Sequence, residues 1–159
     1  MLTELLASHP KILAECAVAE RLRRRPRIAL HPTLFNTPLI YGPEEAKAAM
    51  SSIYIEYLDA ASQANLPLIL TAPTWRLDRT RILEAGMPES INADAVAYLL
   101  ELCESHPPTS PVLVVALTGP KNDCYRPDLA PDTEEARSFH SIQIEELAAT
   151  KAEFLLAQT

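Results

Sequence analysis

Apolar runs alternate with amphipathic segments along most of this chain. LPLILTA at 66–72 and PVLVVALTG at 111–119 carry no charged position, which is typical of strands covered on both faces. ILAEC at 12–16 predicts a shorter first strand, and AEFLLAQT at 152–159 predicts a fourth strand that runs into the C-terminus. The pattern therefore predicts four strands, of which the two middle ones are deeply buried.

Segments with helical spacing separate these strands. The stretch at 27–43 is rich in proline and has no clear period, so we expect a long loop there. The predicted helices are a lead-in at 2–7, a helix after Pro43 with Glu44 and Glu45 in its first turn, a helix over 92–104 capped by Asn92, and a last helix opened by a capping box of Asp132 and Glu135.

Two of these helices show an apolar face at helical spacing. The face of the first is expected to comprise Met50, Ile53, Tyr57, Ala61 and Ala64, and that of the second Val96, Leu99, Leu100 and Cys103.

Strands that alternate with amphipathic helices predict an α/β fold with a parallel sheet and right-handed crossovers. The 159 residues suit a single domain. In such sheets the chemistry lies at the C-terminal ends of the strands. Because the fourth strand leads directly to Thr159, we expect part of any functional site to lie in sequence outside this chain.

Charge and cysteine content narrow the class of protein. The net charge is −7, although RLRRRPR at 21–27 holds five of the fourteen Lys and Arg residues, so we expect neither a nucleic-acid nor a membrane partner. That basic run is read as a solvated helix end in preference to a phosphate site. Three cysteines without paired spacing, together with an N-terminus unlike a secretory signal, predict reduced thiols in a cytoplasmic protein.

With only three glycines, the sequence contains neither of the usual glycine-rich phosphate loops. The candidates for chemistry are therefore the polar side chains that follow each strand. They suit a small polar substrate such as an amino acid, and they are Glu15 and Cys16, the segment 71–75 with Thr71, Thr74 and Trp75, the segment 119–126 with Asp123, and Gln158 with Thr159.

Several of these residues have a structural alternative. Glu15 is either a functional carboxylate or a satisfied polar group, and Trp75 is either a substrate platform or a lid. A soft-metal site of Cys16, Cys124 and His31 is the less favoured interpretation, since idle thiols explain the same residues. We expect Cys103 to lie in the core and His140 to serve in packing or capping.

Three segments, SIYIEYLDAASQANLPLILTAPTW at 52–75, TGPKNDCYRP at 118–127 and SFHSIQIEELAATKAEFLLAQT at 138–159, resemble the homocysteine S-methyltransferase family in order and spacing. The resemblance implies that the chain is the N-terminal half of a (β/α)8 TIM barrel, ending at strand four.

The resemblance also implies a set of substrate-binding residues. Glu15 stands where the family has an aspartate that helps hold homocysteine, and Gln158 stands where a substrate-binding glutamate usually lies. Cys16, Ala17 and Ala19 replace a glycine-containing turn. The implied set is Glu15, Thr74, Trp75, Asp123, Tyr125 and Gln158, with no catalytic residue assigned.

By resemblance, the activity is methyl transfer to the thiol of homocysteine or a related thiol, as in methionine biosynthesis, with a small-molecule methyl donor that is left open. The family holds zinc through three cysteines. None of this chain's cysteines matches them, so we expect zinc ligands beyond residue 159 and no metal held by this chain. The alternatives are a non-catalytic half-barrel that self-associates as a homo-oligomer or binds a partner, and, less favoured, a small open-sheet α/β ligand-binding domain.

Overall fold

The structure is a computed structural model and describes residues 2–158. Strands and helices alternate along that part of the chain. The strands are β1 (Leu13–Ala14), β2 (Leu68–Thr71), β3 (Val112–Thr118) and β4 (Leu155–Ala157), and the helices are α1 (Leu2–Ser8), α2 (Val18–Arg23), α3 (Glu44–Ala64), α4 (Arg79–Glu84), α5 (Ile91–Ser105) and α6 (Thr133–Ala148), with short 3-10 helices at Thr37–Tyr41 and Pro127–Leu129.

The four strands form one parallel sheet in the order β1-β2-β3-β4. Leu68 of β2 lies opposite Val112 of β3, and Ala116 of β3 lies opposite Leu155 of β4. The sheet curls into a half-barrel with the longer helices packed outside it. This architecture confirms the predicted α/β fold and is consistent with half of a TIM barrel.

Alternate residues of β3 belong to two separate apolar clusters. Val114 and Ala116 face the outer helices and join the main core. Leu113 and Val115 face the concave side of the sheet, where Leu5 of α1 packs against them. Both faces of β3 are therefore covered, which is the physical reason for its continuous apolar sequence.

The apolar face of α3 differs from the prediction. The buried residues are Met50, Ile53, Tyr54, Leu58 and Ala61. Two predicted members were wrong or partly wrong, since Ala64 is exposed and Tyr57 is only half-buried. On α5 the prediction holds better, because Val96 and Leu99 are buried while Leu100 and Cys103 are half-buried.

The cap predicted for α5 was wrong. Asn92 lies inside the helix, 1% exposed, and its Nδ2 donates to the Leu77 carbonyl at 2.9 Å and to Glu146 Oε2 at 2.7 Å. Ser90 precedes the helix instead. By contrast, the capping box of α6 is confirmed in part, because the Asp132 side chain accepts a hydrogen bond from the Glu135 backbone N–H.

The 27–43 segment is more ordered than predicted. His31 and Phe35 pair in an antiparallel bridge, and the 3-10 helix Thr37–Tyr41 follows. Thr37 then donates a side-chain hydrogen bond to the Pro73 carbonyl, which ties the segment to the loop after β2. The segment therefore lies across the C-terminal edge of the sheet. No helix within residues 2–158 is long and apolar enough to span a bilayer.

Candidate functional site

One cleft lies where three of the strands end, and we call it the Glu15 cleft. It has a volume of about 360 Å³ and brings together Glu15 after β1, Trp75 after β2 and Gln158 after β4. The C-terminal ends of parallel strands share one edge of the sheet, so residues far apart in sequence meet there. Half of the six predicted substrate-binding residues thus share one cleft. Thr159, the remaining candidate after β4, lies outside the described residues.

The carboxylate of Glu15 is held in place by the neighbouring strand. The backbone N–H of Thr71 donates to Glu15 Oε2 at 2.9 Å, and the Thr71 hydroxyl donates to the same oxygen at 3.0 Å. No other residue in the described part of the chain donates to Oε1. Thr71 therefore fixes one oxygen of Glu15, and no neighbouring residue among those described fixes the other.

Burial raises the pKa of Glu15 above its ordinary value, and the hydrogen bonds from Thr71 and from the backbone of Glu15 itself offset part of that rise. Desolvation disfavours the charged carboxylate, while donors such as Thr71 favour it. A cationic group in the cleft would favour it further. The electrostatics of the Glu15 cleft therefore suit a ligand with a positive charge.

Tyr54 and Asn36 also line the Glu15 cleft, although sequence analysis singled out neither. Tyr54 is 1% exposed, and its pKa is raised well above the ordinary value, first by burial and then by the charge of Glu15. Asn36 is buried and its Nδ2 donates to Met50 Sδ at 3.5 Å. Helical spacing along α3 could have indicated that Tyr54 is buried, but the predicted apolar face contained Tyr57 instead.

Trp75 lies across the end of β3. A Cβ atom at Gly119 would come within 2.2 Å of Trp75 Cδ1 and 2.6 Å of the Trp75 carbonyl oxygen, so only glycine fits beneath it. Phe35 packs against the indole with ring centroids 5.5 Å apart. Trp75 is therefore a fixed wall of the cleft, held between the end of β3 and the 27–43 segment.

Thr74 lies beneath the cleft and outside its lining. Its hydroxyl donates to the Leu117 carbonyl at 2.6 Å and accepts from the Leu117 N–H at 2.8 Å. These bonds continue the pairing of β2 with β3 beyond the last residue of β2, and Thr74 is wholly buried. Its contacts support the backbone that carries Trp75.

Asp123 and Tyr125 lie away from the Glu15 cleft. They line a second cavity of about 460 Å³ in the loop after β3, which we call the Arg76 cavity and which Trp75, Arg76 and Lys121 also line. Tyr125 is 88% exposed, and its backbone N–H donates to Asp123 Oδ1 at 2.9 Å. The structure therefore does not bring these two predicted residues together with Glu15.

The turn after β1, where the resemblance places a glycine-containing segment, has a left-handed residue. Ala17 has φ 54° and ψ 29°, in the left-handed region that favours glycine. It precedes α2, and the Tyr57 hydroxyl donates to the neighbouring Cys16 carbonyl at 2.6 Å. The fold thus keeps a glycine-type turn where this sequence has alanine.

The structure does not assemble the less favoured soft-metal site of Cys16, Cys124 and His31 among the described residues. His31 Nδ1 accepts hydrogen bonds from the backbone N–H groups of Thr33 and Leu34, so it organises its own turn. Cys16 and Cys124 are exposed free thiols. Across residues 2–158, no group of three His, Cys, Asp or Glu side chains is placed to hold a metal ion.

His140 packs edge-to-face against Phe139 with ring centroids 4.9 Å apart, in line with the packing role expected of it. A larger cavity of about 720 Å³ lies between α4 and the start of α6 and contains none of the six predicted substrate-binding residues. Its cations are already paired, Arg81 with Asp78 and Lys121 with Glu135. On chemical grounds the smaller Glu15 cleft is the better candidate site.

Comparison with known proteins identifies a family. Residues 2–159 match a family model described as homocysteine S-methyltransferase, which confirms the resemblance drawn from the sequence. Comparison with curated proteins and with solved structures gives no match. That match therefore establishes the family, whereas the candidate site residues are identified from their geometry.

Proposed function

Because this chain belongs to the homocysteine S-methyltransferase family, we propose that its Glu15 cleft binds the amino end of a small thiol that accepts a methyl group. The thiol is homocysteine or a related amino thiol, and the methyl donor is a second small molecule. In this proposal the half-barrel supplies substrate binding to a methyltransferase.

The observation that carries the proposal is the environment of Glu15. Its carboxylate is partly buried at a strand end and fixed through Oε2, with Oε1 left for a ligand. A substrate ammonium at Oε1 would form a charge-assisted hydrogen bond and would offset the desolvation of the carboxylate. Among the described lining residues Glu15 is the one carboxylate, which matches a single ammonium.

Gln158 gives the cleft a second polar contact of a different kind. Its side chain is a neutral amide with both a donor and an acceptor, whereas the family position usually carries a carboxylate. We propose that the amide NH2 of Gln158 donates to the carboxylate end of the amino thiol. The amino acid moiety is then held at both ends, by Glu15 and by Gln158.

Zinc supplies a thiolate nucleophile in this family, because the metal lowers the pKa of the substrate thiol. The side chains of residues 2–158 do not fit that metal, since no group of three ligands is assembled there. We therefore propose that zinc ligands come from outside these 159 residues and derive no step through the metal. Stoichiometric zinc retained by the purified chain would contradict this part.

Calorimetric titration with homocysteine tests the binding proposal. We expect Glu15→Gln to lower the affinity by about tenfold or more, since a charge-assisted hydrogen bond contributes about 1.5–3 kcal/mol. Glutamine keeps the size of the side chain and an oxygen for Thr71, so the loss reports on charge.

Glu153→Gln is the matched control. Glu153 precedes β4, at the opposite edge of the sheet, and its side chain is exposed. It removes the same charge from the chain without touching the cleft. Equal affinity in the two variants, or no binding by the unsubstituted chain, would count against the proposed function.

The non-catalytic alternative also has an observation in its favour. Within the described residues, β1 and β4 are the edge strands of the sheet, each paired on one side. Open sheet edges favour association with a second chain. We propose homo-oligomerisation through these edges as the alternative role. Sedimentation of a concentration-independent monomer would eliminate it, whereas a dimer that binds no amino thiol would favour it.

A further inference from the structure

The Arg76 cavity contains a guanidinium group without a counterion. No residue in the described part of the chain forms an ion pair or hydrogen bond with Arg76, and its Nε is shielded from solvent without an acceptor. The guanidinium lies over the Trp75 ring, with 5.3 Å between the guanidinium carbon and the ring centroid. Buried polar groups in folded proteins are normally paired, so this one indicates a missing partner.

The other cations around the cavity are already paired with carboxylates. Arg81 pairs with Asp78 at 2.5 Å, and Lys121 pairs with Glu135. Asp123, an acid in the lining, accepts from the Tyr125 backbone N–H. Arg76 is therefore the cation that remains for a ligand among the described lining residues.

The pKa of Arg76 also indicates that an anion is missing beside it. Burial lowers the pKa of Arg76 first, and the charge of Arg81 lowers it further, while Asp78, Asp123 and Cys124 only partly offset these effects. An anion beside the guanidinium would counter both leading causes.

We propose that the Arg76 cavity is a binding site for a carboxylate monoanion, separate from the Glu15 cleft. The Nε–H and an Nη–H of arginine form a fork that matches the two oxygens of a carboxylate. One unpaired cation balances one negative charge. Asp123 in the same lining would repel the second charge of a phosphate dianion, which favours the carboxylate.

Trp75 connects this site to the Glu15 cleft. The indole lines both cavities and is fixed against Gly119, so a ligand in the Arg76 cavity lies one side chain away from a ligand in the cleft. The anion site itself does not require the proposed function. If both proposals hold, the site receives a carboxylate of a molecule bound next to the amino thiol.

The fluorescence of Trp75 tests the site directly, because it is the only tryptophan of the chain. Sodium acetate is titrated at constant ionic strength set with sodium chloride, and emission is recorded at each concentration. The Nε–H resonance of Arg76, assigned through its loss in Arg76→Lys, gives a second readout that does not depend on quenching. We expect both signals to saturate with one dissociation constant.

Two variants and one control separate specific binding from a salt effect. Arg76→Gln is expected to lower acetate affinity by about tenfold or more, and Arg76→Lys to lower it less, since lysine keeps the charge but loses the fork. Arg79→Gln is the matched control, because Arg79 is an exposed arginine three residues away that pairs with Glu89 and lies outside the lining.

The outcomes are distinguishable from those for the amino thiol. Saturation by acetate that persists in Glu15→Gln and is lost in Arg76→Gln would support the anion site, whatever homocysteine does. A response that does not saturate, or that Arg76→Gln leaves unchanged, would overturn it. Tighter binding of phosphate than of acetate would overturn the assignment to a monoanion.

Discussion

The ends of β1 and β3 differ, although each is followed by residues that the sequence marked as polar and functional. Glu15 comes directly after the two residues of β1, and its carboxylate is held by Thr71 on the neighbouring strand. Asp123 comes five positions after β3 ends at Thr118 and lies in an exposed loop. A residue near a strand end thus has a fixed side chain only where its backbone is still held by the sheet.

The same comparison explains the role of Trp75. It lies four residues beyond β2, yet it is fixed because Thr74 extends the pairing with β3 and Gly119 leaves room for the indole. The loop after β3 has no such anchor at Tyr125, which is 88% exposed. Four predictions test this difference between anchored and unanchored strand ends.

The largest effect is expected from Gly119→Ala. A Cβ there would meet both the ring and the backbone of Trp75 at distances that require a shift, so we expect a loss of about 3 kcal/mol in the free energy of unfolding. Gly86→Ala is the control, because Gly86 has φ +62° but open space around it, and about 1 kcal/mol is expected. Chemical denaturation measures both. Equal losses would show that Trp75 is not anchored there.

Thr74→Val is expected to destabilise the protein by about 2 kcal/mol, because it leaves the N–H and carbonyl of Leu117 without their hydroxyl partner. Valine preserves the shape of the side chain, so the loss reports on hydrogen bonding. Thr80→Val, at an exposed position of α4, should change stability little. Thermal unfolding that is unchanged in both variants would mean that the extension of β2 contributes nothing.

Ala17→Gly should stabilise the protein by about 1 kcal/mol, since an L-residue at φ 54° is strained and glycine is not. Ala19→Gly, inside α2, should have the opposite sign and destabilise by a similar amount. Denaturation curves of the pair give the comparison. Two losses of equal size would contradict the left-handed turn after β1.

The smallest effect is a pH-dependent change in stability on Glu15→Gln. Burial raises the pKa of Glu15 from 4.5, so the folded state binds the proton more tightly than the unfolded state. Stability conferred by the protonated form is present below the unfolded pKa and is lost as pH rises through the folded pKa. The variant should therefore gain stability over the unsubstituted chain as pH rises from 3 to 7, modestly, because Thr71 offsets part of the burial.

Asp123→Asn provides the contrast for the pH experiment, since Asp123 is an exposed carboxylate in the loop after β3. Thermal unfolding of both variants at each pH measures the comparison. A stability difference for Glu15→Gln that is flat with pH would show that the carboxylate is not desolvated. Such a result would remove the distinction between the two strand ends.

Much of the fold was predictable because the relevant forces are local or periodic. The continuous apolar runs marked β2 and β3, since both faces of these strands are covered. The side-chain cap at Asp132 depends on residues three positions apart. The helix α4 was not predicted, and α2 was indicated only by the helix end expected at 21–27, because helices of six residues owe their stability to packing against the rest of the protein.

The site was predictable only in part, for a related reason. Glu15 and Gln158 follow strands that the sequence marks, so their meeting follows from parallel order. Tyr54 and Asn36 reach the same cleft from a helix and from the 27–43 segment, and no short-range pattern indicates their direction. Asparagine often caps helices, but the side chain of Asn92 is buried and donates hydrogen bonds to Leu77 and Glu146.

By itself the sequence determined the order of the four strands and the four longer helices, the parallel sheet and the family, because hydrophobic periodicity and segment order are written along the chain. Tertiary structure decided which polar residues meet. Trp75 is fixed by Gly119, Glu15 is oriented by Thr71, and Arg76 is left without a counterion. Each of these facts depends on the distance between residues far apart in sequence, which folding alone sets.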